Sequence, residues 1–411
     1  MSFVAKTAGD GSAEVEKRRL NLWKTMEVFL IFLKLGVTSF GGPIAHLGFF
    51  QREFVQRRAW ISDSAFGDLV AFCQFLPGPA SSQVAIALGH LRAGIRGALA
   101  AWTGFAMPSA ILMIAAGYGF QAIRAESGFL HGLKIAAAAV VAQALWSMGR
   151  KFCSDLSRLV LGAIAAGLIL ALPPGWLQIP VLAAGALFGW IFLRTDQEPA
   201  ERPDSDGVSG GTWIARSALS LFFVLLLVMP ALSRLSRNHW LELADAFYRS
   251  GALVFGGGHV VLPLLESATV EKGWLTQNAF MAGYGVAQAV PGPLFSFAAY
   301  LGTVVGPTWV AGIWCLLWIY LPSFLLILGA LPFWDLLRRN TGVQAALRGA
   351  NAVVVGILLA AFYNPVLSVA VNSPAALVIT LVAFAMLQFG NCPPWLLVIL
   401  CGLAGAVILR A

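Results

Sequence analysis

Two short stretches rich in glycine and proline interrupt this apolar chain, and each is written twice. Phe40-Gly41-Gly42-Pro43 is followed by Gln74, by Pro77-Gly78-Pro79, and then by Ser81, Ser82 and Gln83. Phe255-Gly256-Gly257-Gly258 is followed by Gln288, by Pro291-Gly292-Pro293, and then by Ser296. The second copy trails the first by 215 residues at the glycine motif. From the Trp60/Trp274 pair onward the offset is 214, through Pro108-Ser109 and Pro322-Ser323. Glycine weakens a helix and proline removes an N–H, so each motif predicts a break. A helix that restarts after a break presents unpaired N–H groups and the positive end of its dipole, which together hold an anion. Pro43, Pro77, Pro79, Gly258, Pro291 and Pro293 mark the breaks. A kink that only eases packing would explain one such motif; four at repeat-related positions point to a site. Its candidate ligands are Gly41, Gly42, Gly78, Ser81, Ser82, Gln83, Gly256, Gly257, Gly292 and Ser296. The aligned amides Gln74 and Gln288 join them, because an amide buried in lipid needs a partner.

Charged side chains within the apolar stretches are few, and each is a candidate for function. Lys34 and Arg249 share the offset of 215 and precede the first break of each half, where they would supply positive charge. For Arg249, near the end of a stretch, snorkelling to the interface is the competing reading. His46 and His259 each follow a glycine break without aligning. Arg52 and Glu266 do align, with inverted charge. These four are the proton-carrying or gating candidates, against the plainer readings of packing histidines and loop charges.

The elements that must position these residues are membrane helices. Hydrophobic residues make up 59% of the chain and charged residues 11%, less than half of the roughly 25% of soluble proteins. Expected spans are about 26–49, 66–90, 97–120, 129–148, 158–173 and 176–194. A second set is expected at 213–232, 243–265, 277–302, 307–332, 345–363, 366–390 and 393–410, many near the ~20 residues that cross a bilayer. The polar stretch 195–212 reads as a linker between a repeat at 26–194 and a repeat at 213–411, with 1–25 as an N-terminal segment. Lys17, Arg18, Arg19 and Lys24 place that segment in the cytoplasm. Counting spans from there starts the second half on the opposite side. Two loop pairs agree: the Asp335–Arg348 loop is basic where its first-half counterpart has only Arg124, and Arg92 and Arg96 face a second-half turn without Lys or Arg. The expected fold is therefore an all-α polytopic protein, an inverted-topology repeat with Gly/Pro-broken or re-entrant helices, whose site lies between the breaks.

Other classes lack their signatures. The first 25 residues are polar and no cleavable signal is evident. The five cysteines have no Cys-x-x-Cys spacing, no His/Asp/Cys cluster has metal spacing, and no Walker loop is present. The net charge of +8 sits in short loops, which fits membrane topology rather than nucleic acid. No cofactor, no metal and no catalytic constellation are expected.

At Phe32-Leu33-Lys34-Leu35-Gly36, Gly41 through Gly48, and Phe75 through Gln83, the chain resembles the N-half signature of the chromate transporter family in its long, two-domain form. Phe255 through Pro263 and Ala289 through Phe295 resemble its C-half signature. The resemblance implies efflux of chromate across a bacterial inner membrane, chromate resistance, and competition by sulfate. A permease for sulfate or another oxyanion is the alternative. A non-transporting membrane enzyme or assembly subunit is the alternative of another class. Uniport, proton symport and proton antiport stay open, as does the oligomeric state, a homodimer included.

Overall fold

The computed structural model describes residues 5–122, 128–172, 177–194, 212–236, 238–255, 258–334, 337 and 340–409. The expected linker 195–212, save Thr212, lies outside the described residues, as do Gly256, Gly257 and Arg124. The described residues form helices and no strand. The first half comprises α1 (Ala5–Thr38), α2 (Gly42–Phe50), α3 (Asp63–Phe75), α4 (Ala80–Ala122), α5 (Gly128–Phe152), α6 (Leu156–Ala171) and α7 (Gln178–Phe192). Next comes α8 (Thr212–Ser236). The second half comprises α9 (His239–Ala252), α10 (Val261–Thr269), α11 (Gln277–Ala289), α12 (Phe297–Val305), α13 (Trp309–Ala330), α14 (Thr341–Ala361), α15 (Pro374–Gln388) and α16 (Pro394–Ile408). Non-helical backbone at Ala93 and Gly94 splits α4 into arms 80–92 and 95–122, which the offset matches to α12 and α13. Helix α8 has no counterpart.

Among the described residues, five helices are long and apolar enough to cross a membrane: Ala80–Gly119, Gly128–Phe152, Trp213–Ser236, Trp309–Phe333 and Thr341–Ala370. The shorter apolar helices include Leu156–Ala171, Gln178–Phe192, Pro374–Gln388 and Pro394–Ile408. The protein is thus a multi-pass membrane protein, and side-chain contacts fix how its halves run. Glu27 on α1 pairs with Arg58, after α2, at 3.4 Å and with Arg92, at the end of the first α4 arm, at 3.0 Å. Both breaks of the first half are therefore tips of hairpins whose arms start and finish at one end of the molecule. In the second half, Tyr300 on α12 donates to the Ala279 carbonyl at the start of α11 at 2.8 Å, so that hairpin also returns. Its end of the molecule is the opposite one. The Trp309 N–H donates to the Tyr118 hydroxyl, near the far end of α4, at 2.8 Å, and Trp314 Nε1–H donates to the Trp240 carbonyl at 3.0 Å.

Two expectations are corrected. The segments 26–49, 66–90, 243–265 and 277–302 are not continuous spans but pairs of half-length arms. Positive φ at Gly41 (102°), Gly42 (76°), Gly78 (127°) and Gly292 (100°) turns the chain there, a conformation open to glycine at little cost. Arg348 is not in a loop: α14 begins at Thr341, with the Asn340 side chain accepting from the Val343 N–H at 3.1 Å. Related caps start the arms that lead to the second breaks, Ser62 on α3 at 3.2 Å and Thr276 on α11 at 3.3 Å.

Helices in lipid associate by close packing of small residues, and the repeat uses the same contacts twice. A Cβ on Gly36 would lie 2.7 Å from the Phe105 carbonyl oxygen, and one on Gly251 would lie 2.1 Å from that of Ile319. These contacts seat α1 on α4 and α9 on α13, next to the breaks. The halves then exchange their last helices: α6 and α7 pack on α14, while α15 and α16 pack on α5. At the α5–α16 seam, a Cβ on Gly132 would stand 2.0 Å from the Cys401 carbonyl oxygen. Gly132→Ala is therefore expected to destabilise the protein by about 1–3 kcal/mol through forced separation of the two helices. Gly149→Ala, on the same helix with nothing within 4 Å, is expected to be neutral or up to about 1 kcal/mol stabilising. Thermal unfolding of the purified variants in detergent checks the contrast; equal melting temperatures would count against the seam.

Candidate functional site

All four breaks meet at the middle of the molecule. The Gly78 N–H donates to the Val254 carbonyl at 2.7 Å, and the Gly292 N–H donates to the Ser39 carbonyl at 3.0 Å. These are the same bond made twice, each from the Pro-Gly-Pro of one half to the end of the first arm of the other. The Pro43 ring lies 3.5 Å from where a Cβ on Gly258, its repeat equivalent, would stand. Unwound backbone at membrane depth survives only where protein or a polar cavity satisfies it, and here each half satisfies the other.

Around these tips lies a set of hydroxyls. Ser109 donates to the Ala106 carbonyl at 2.9 Å, so in its 2.6 Å contact with Ser296 it is the acceptor. On the related side, a Cβ on Gly78 would lie 3.0 Å from Ser323 Oγ. The Tyr320 hydroxyl stands beside Ser82 and Ser296, yet no well-directed hydrogen bond satisfies it. Ser39, Ser82, Ser296, Ser323, Gln83 and Tyr320 are all at least 98% buried. Among the described residues, the Ser39, Ser82, Ser323 and Tyr320 hydroxyls have no hydrogen-bond partner, and neither has Gln83 Oε1. Gln83 Nε2–H donates to the Pro77 carbonyl at 2.7 Å and holds that break in place. An unsatisfied buried polar group costs about 1–3 kcal/mol. Several gathered at one point describe a polar site, mostly of hydroxyls, that can hydrogen-bond a ligand. None of the cluster's hydrogen-bonding partners among the described residues is Lys, Arg, Asp or Glu.

The expected site residues fall into three groups. Gly78, Ser82, Gln83, Gly292, Ser296, Pro43 and Gly258 are brought together. His46 and Ser81 flank them: His46, packed edge-on against Phe105, lies 3.4 Å from Ser81 Oγ and 3.3 Å from the Ser39 carbonyl. His259 sits 2.9 Å from the Tyr284 hydroxyl, and Gln288 adjoins the same tyrosine. The remainder are not gathered. Gln74, Arg52 and Gly41 are exposed, and Glu266 lies near Glu271. The expected cations are corrected. Lys34 is exposed on the stripe of α1 that carries Trp23, Met26, Leu30 and Val37. Arg249 is held by Asp245, one turn earlier, through bonds of 2.8 and 2.6 Å. Ser39, Ser109, Tyr320 and Ser323 are absent from the sequence-derived set. The doubled Pro-Ser already pointed at Ser109 and Ser323; Tyr320 has no such signal, because its repeat equivalent is Ala106.

Each end of the molecule carries a charged cluster at repeat-related positions. At the first end Arg58 bonds Glu53 at 2.7 Å as well as Glu27, and Arg92 lies over Trp60 at 4.8 Å. Burial raises the pKa of Glu53, but the Arg58 and Arg57 hydrogen bonds and charges outweigh it and hold the carboxyl below its usual range. At the second end Lys272 lies over Trp274 at 4.4 Å, His239 packs edge-on against Trp274 at 5.4 Å, and Glu242, the equivalent of Glu27, lies 3.7 Å from His239 and acts on Lys272 through space. The first end is thus tied by direct ion pairs across segments, and the second by ring contacts and longer-range charge.

An all-α repeat inverted across the bilayer, with helix breaks at its centre, is an architecture that membrane transporters use. The chromate transporter profile matches residues 26–190 and again 241–406. The chain belongs to the chromate transporter family. It is 26% identical to the chromate transport protein of Pseudomonas aeruginosa over 81% of this chain and 79% of that protein. It is 26% identical to the chromate transport protein of Cupriavidus metallidurans over 88% of each. An uncharacterised transporter of Methanocaldococcus jannaschii is 27% identical over 91% of this chain and 92% of its own. No solved structure matches the chain.

The reciprocal bonds make a test. A Cβ on Gly78 would lie 2.5 Å from Gln83 Nε2, at a φ of 127°. Gly78→Ala is expected to cost more than about 1 kcal/mol, read as a lower melting temperature, whereas Gly67→Ala, with nothing within 4 Å, is expected to leave it unchanged. A Gly78→Ala protein as stable as its parent would show that the crossing is not required.

Proposed function

We propose that this chain exports chromate across the bacterial inner membrane by alternating access, with its N-terminus in the cytoplasm, and so confers chromate resistance. The observation that carries the reading is the closed cluster of donor hydroxyls at the meeting of the four breaks, in a member of this family. Chromate is a tetrahedral dianion with four acceptor oxygens and no donor, which suits hydroxyls that lack acceptors. A neutral site binds such an ion without the tightness that a buried ion pair would bring, and an exporter must release its cargo. The burial of every cluster hydroxyl fits a closed conformation. Loosening the Glu27–Arg58–Arg92 ties at one end, or the Trp274 cluster at the other, would open it alternately.

The electrical gradient favours export. A dianion leaving a cell that is negative inside by ~100 mV gains about 4.6 kcal/mol. That sustains a gradient of about three decades without ATP. A proton gradient is the competing drive, with His46, His259 and Glu266 as its carriers. Hydroxyls read the four oxygens rather than the central atom, so sulfate is the expected competitor and sulfate transport the second reading.

Purified protein in liposomes tests this. Chromate flux is expected to follow an imposed voltage, to ignore an imposed pH gradient and to fall with added sulfate. Ser82→Ala with Ser323→Ala is expected to lower kcat/KM about tenfold or more, since hydrogen bonds to a charged ligand are worth roughly 1.5–3 kcal/mol. Wild-type protein that moves sulfate but no chromate would replace the first reading by the second.

A further inference from the structure

Lys134 is a cation inside the protein that the central cluster does not use. It lies on α5, one of the helices long enough to cross the bilayer, and is 93% buried. Its ammonium donates to Asn278 Oδ1 at 3.1 Å. Among the described residues it has no carboxylate within ion-pair distance, although a buried charge is ordinarily paired. An ammonium has three donors, and the amide takes one. One turn earlier on the same face, His131 has its Nε2 buried without a hydrogen-bond partner, while the ring's backbone partner is the Ala370 carbonyl. An ammonium with spare donors calls for an acceptor, and an anion supplies one.

The location is on the seam between the halves. Helix α5 belongs to the first half and α11, which carries Asn278, to the second. The backbones touch one residue away: the Leu133 carbonyl oxygen would lie 2.4 Å from a Cβ on Gly285. From Gly285, α11 leads within two turns to Gly292 at the centre. From Asn278 it leads to the end of the molecule where the second half begins. The offset of 214 carries Lys134 onto Arg348, which sits on α14 and donates to the Leu193 carbonyl at 3.1 Å, at the opposite end. The repeat therefore keeps one cation on each of the two related long helices, each toward its own end.

Resting on the transport reading above, we propose that Lys134 is a second oxyanion station between the central cluster and the end at which the second half begins. There the anion meets full positive charge, which the centre lacks, so the station concentrates the ion on one side of the neutral site.

Sided chromate flux tests the station, in right-side-out and everted membrane vesicles carrying wild-type protein, Lys134→Met or Lys134→Arg. Lys134→Met is expected to raise KM about tenfold or more for chromate presented at one face, with little change at the other. Lys134→Arg is expected to restore it. Loss of flux equal from both faces, or Lys134→Arg behaving as Lys134→Met, would overturn the station and leave Lys134 a structural residue. Should Lys134→Met fail to give a monodisperse protein, Lys134→Gln is read by the same criterion. Wild-type vesicles that move no chromate would instead refute the transport reading, and so separate the two failures.

Discussion

Two backbone hydrogen bonds hold the centre of this protein, Gly78 N–H to the Val254 carbonyl and Gly292 N–H to the Ser39 carbonyl. Within a bilayer a chain that leaves its helix exposes N–H and C=O groups that lipid does not satisfy. Breaking four arms would therefore be prohibitive if each half stood alone. Reciprocity removes the cost, because each break supplies what the other lacks. It also dictates the rest: the halves must be inverted so that tips meet tips, and Gly36 and Gly251 must be small so that the arms arrive at the same depth. The tips must be glycine because the turn lies at positive φ.

What collects at that meeting point is a surplus of hydroxyls rather than of charge. Ser39, Ser82, Ser323 and Tyr320 are buried and unsatisfied, whereas charge is kept toward the ends, in the Glu27–Arg58–Arg92 group and around Trp274. The separation is physically sensible. A dianion held only by dipoles is released more readily than one held by full charge. Position is matched between the halves for Ser82 and Ser296, for Ser109 and Ser323, and for the end clusters, but Ser39 and Tyr320 correspond to Val254 and Ala106.

Much of this architecture was legible in the residues. The doubled motifs announced the repeat, loop charge announced its inversion, and Gly and Pro announced the breaks. The misreadings share one cause: periodicity along one helix does not tell which face meets which neighbour. Lys34 looked like a site residue because it precedes a break, yet its face carries Trp23, Met26 and Leu30. Arg249 was open to a site role or to snorkelling, and Asp245 one turn earlier holds it instead. Lys134 carried one local signal, a charge within the apolar stretch 129–148, but its partner Asn278 is more than a hundred residues away in sequence; Tyr320 gave none, since its significance depends on Ser82. For 66–90 the breaks were legible, but its apolar length equals that of a true span, so crossing and returning both stayed open.

Helix α8 stands outside the repeat, and the family match passes over it. Apart from the returning hairpins, each half has the second arm of α4 with α5, both long enough to cross the bilayer, followed by the shorter apolar pair α6 and α7, or their counterparts. That number is even, so a half duplicated head to tail would lay its copy down in the same direction as the original. One added crossing reverses everything after it. The orientation of half the molecule, and with it every contact at the centre, thus depends on a helix that takes no part in that centre. The same parity means that an unfused half would need to insert in both directions for two copies to rebuild the site between them.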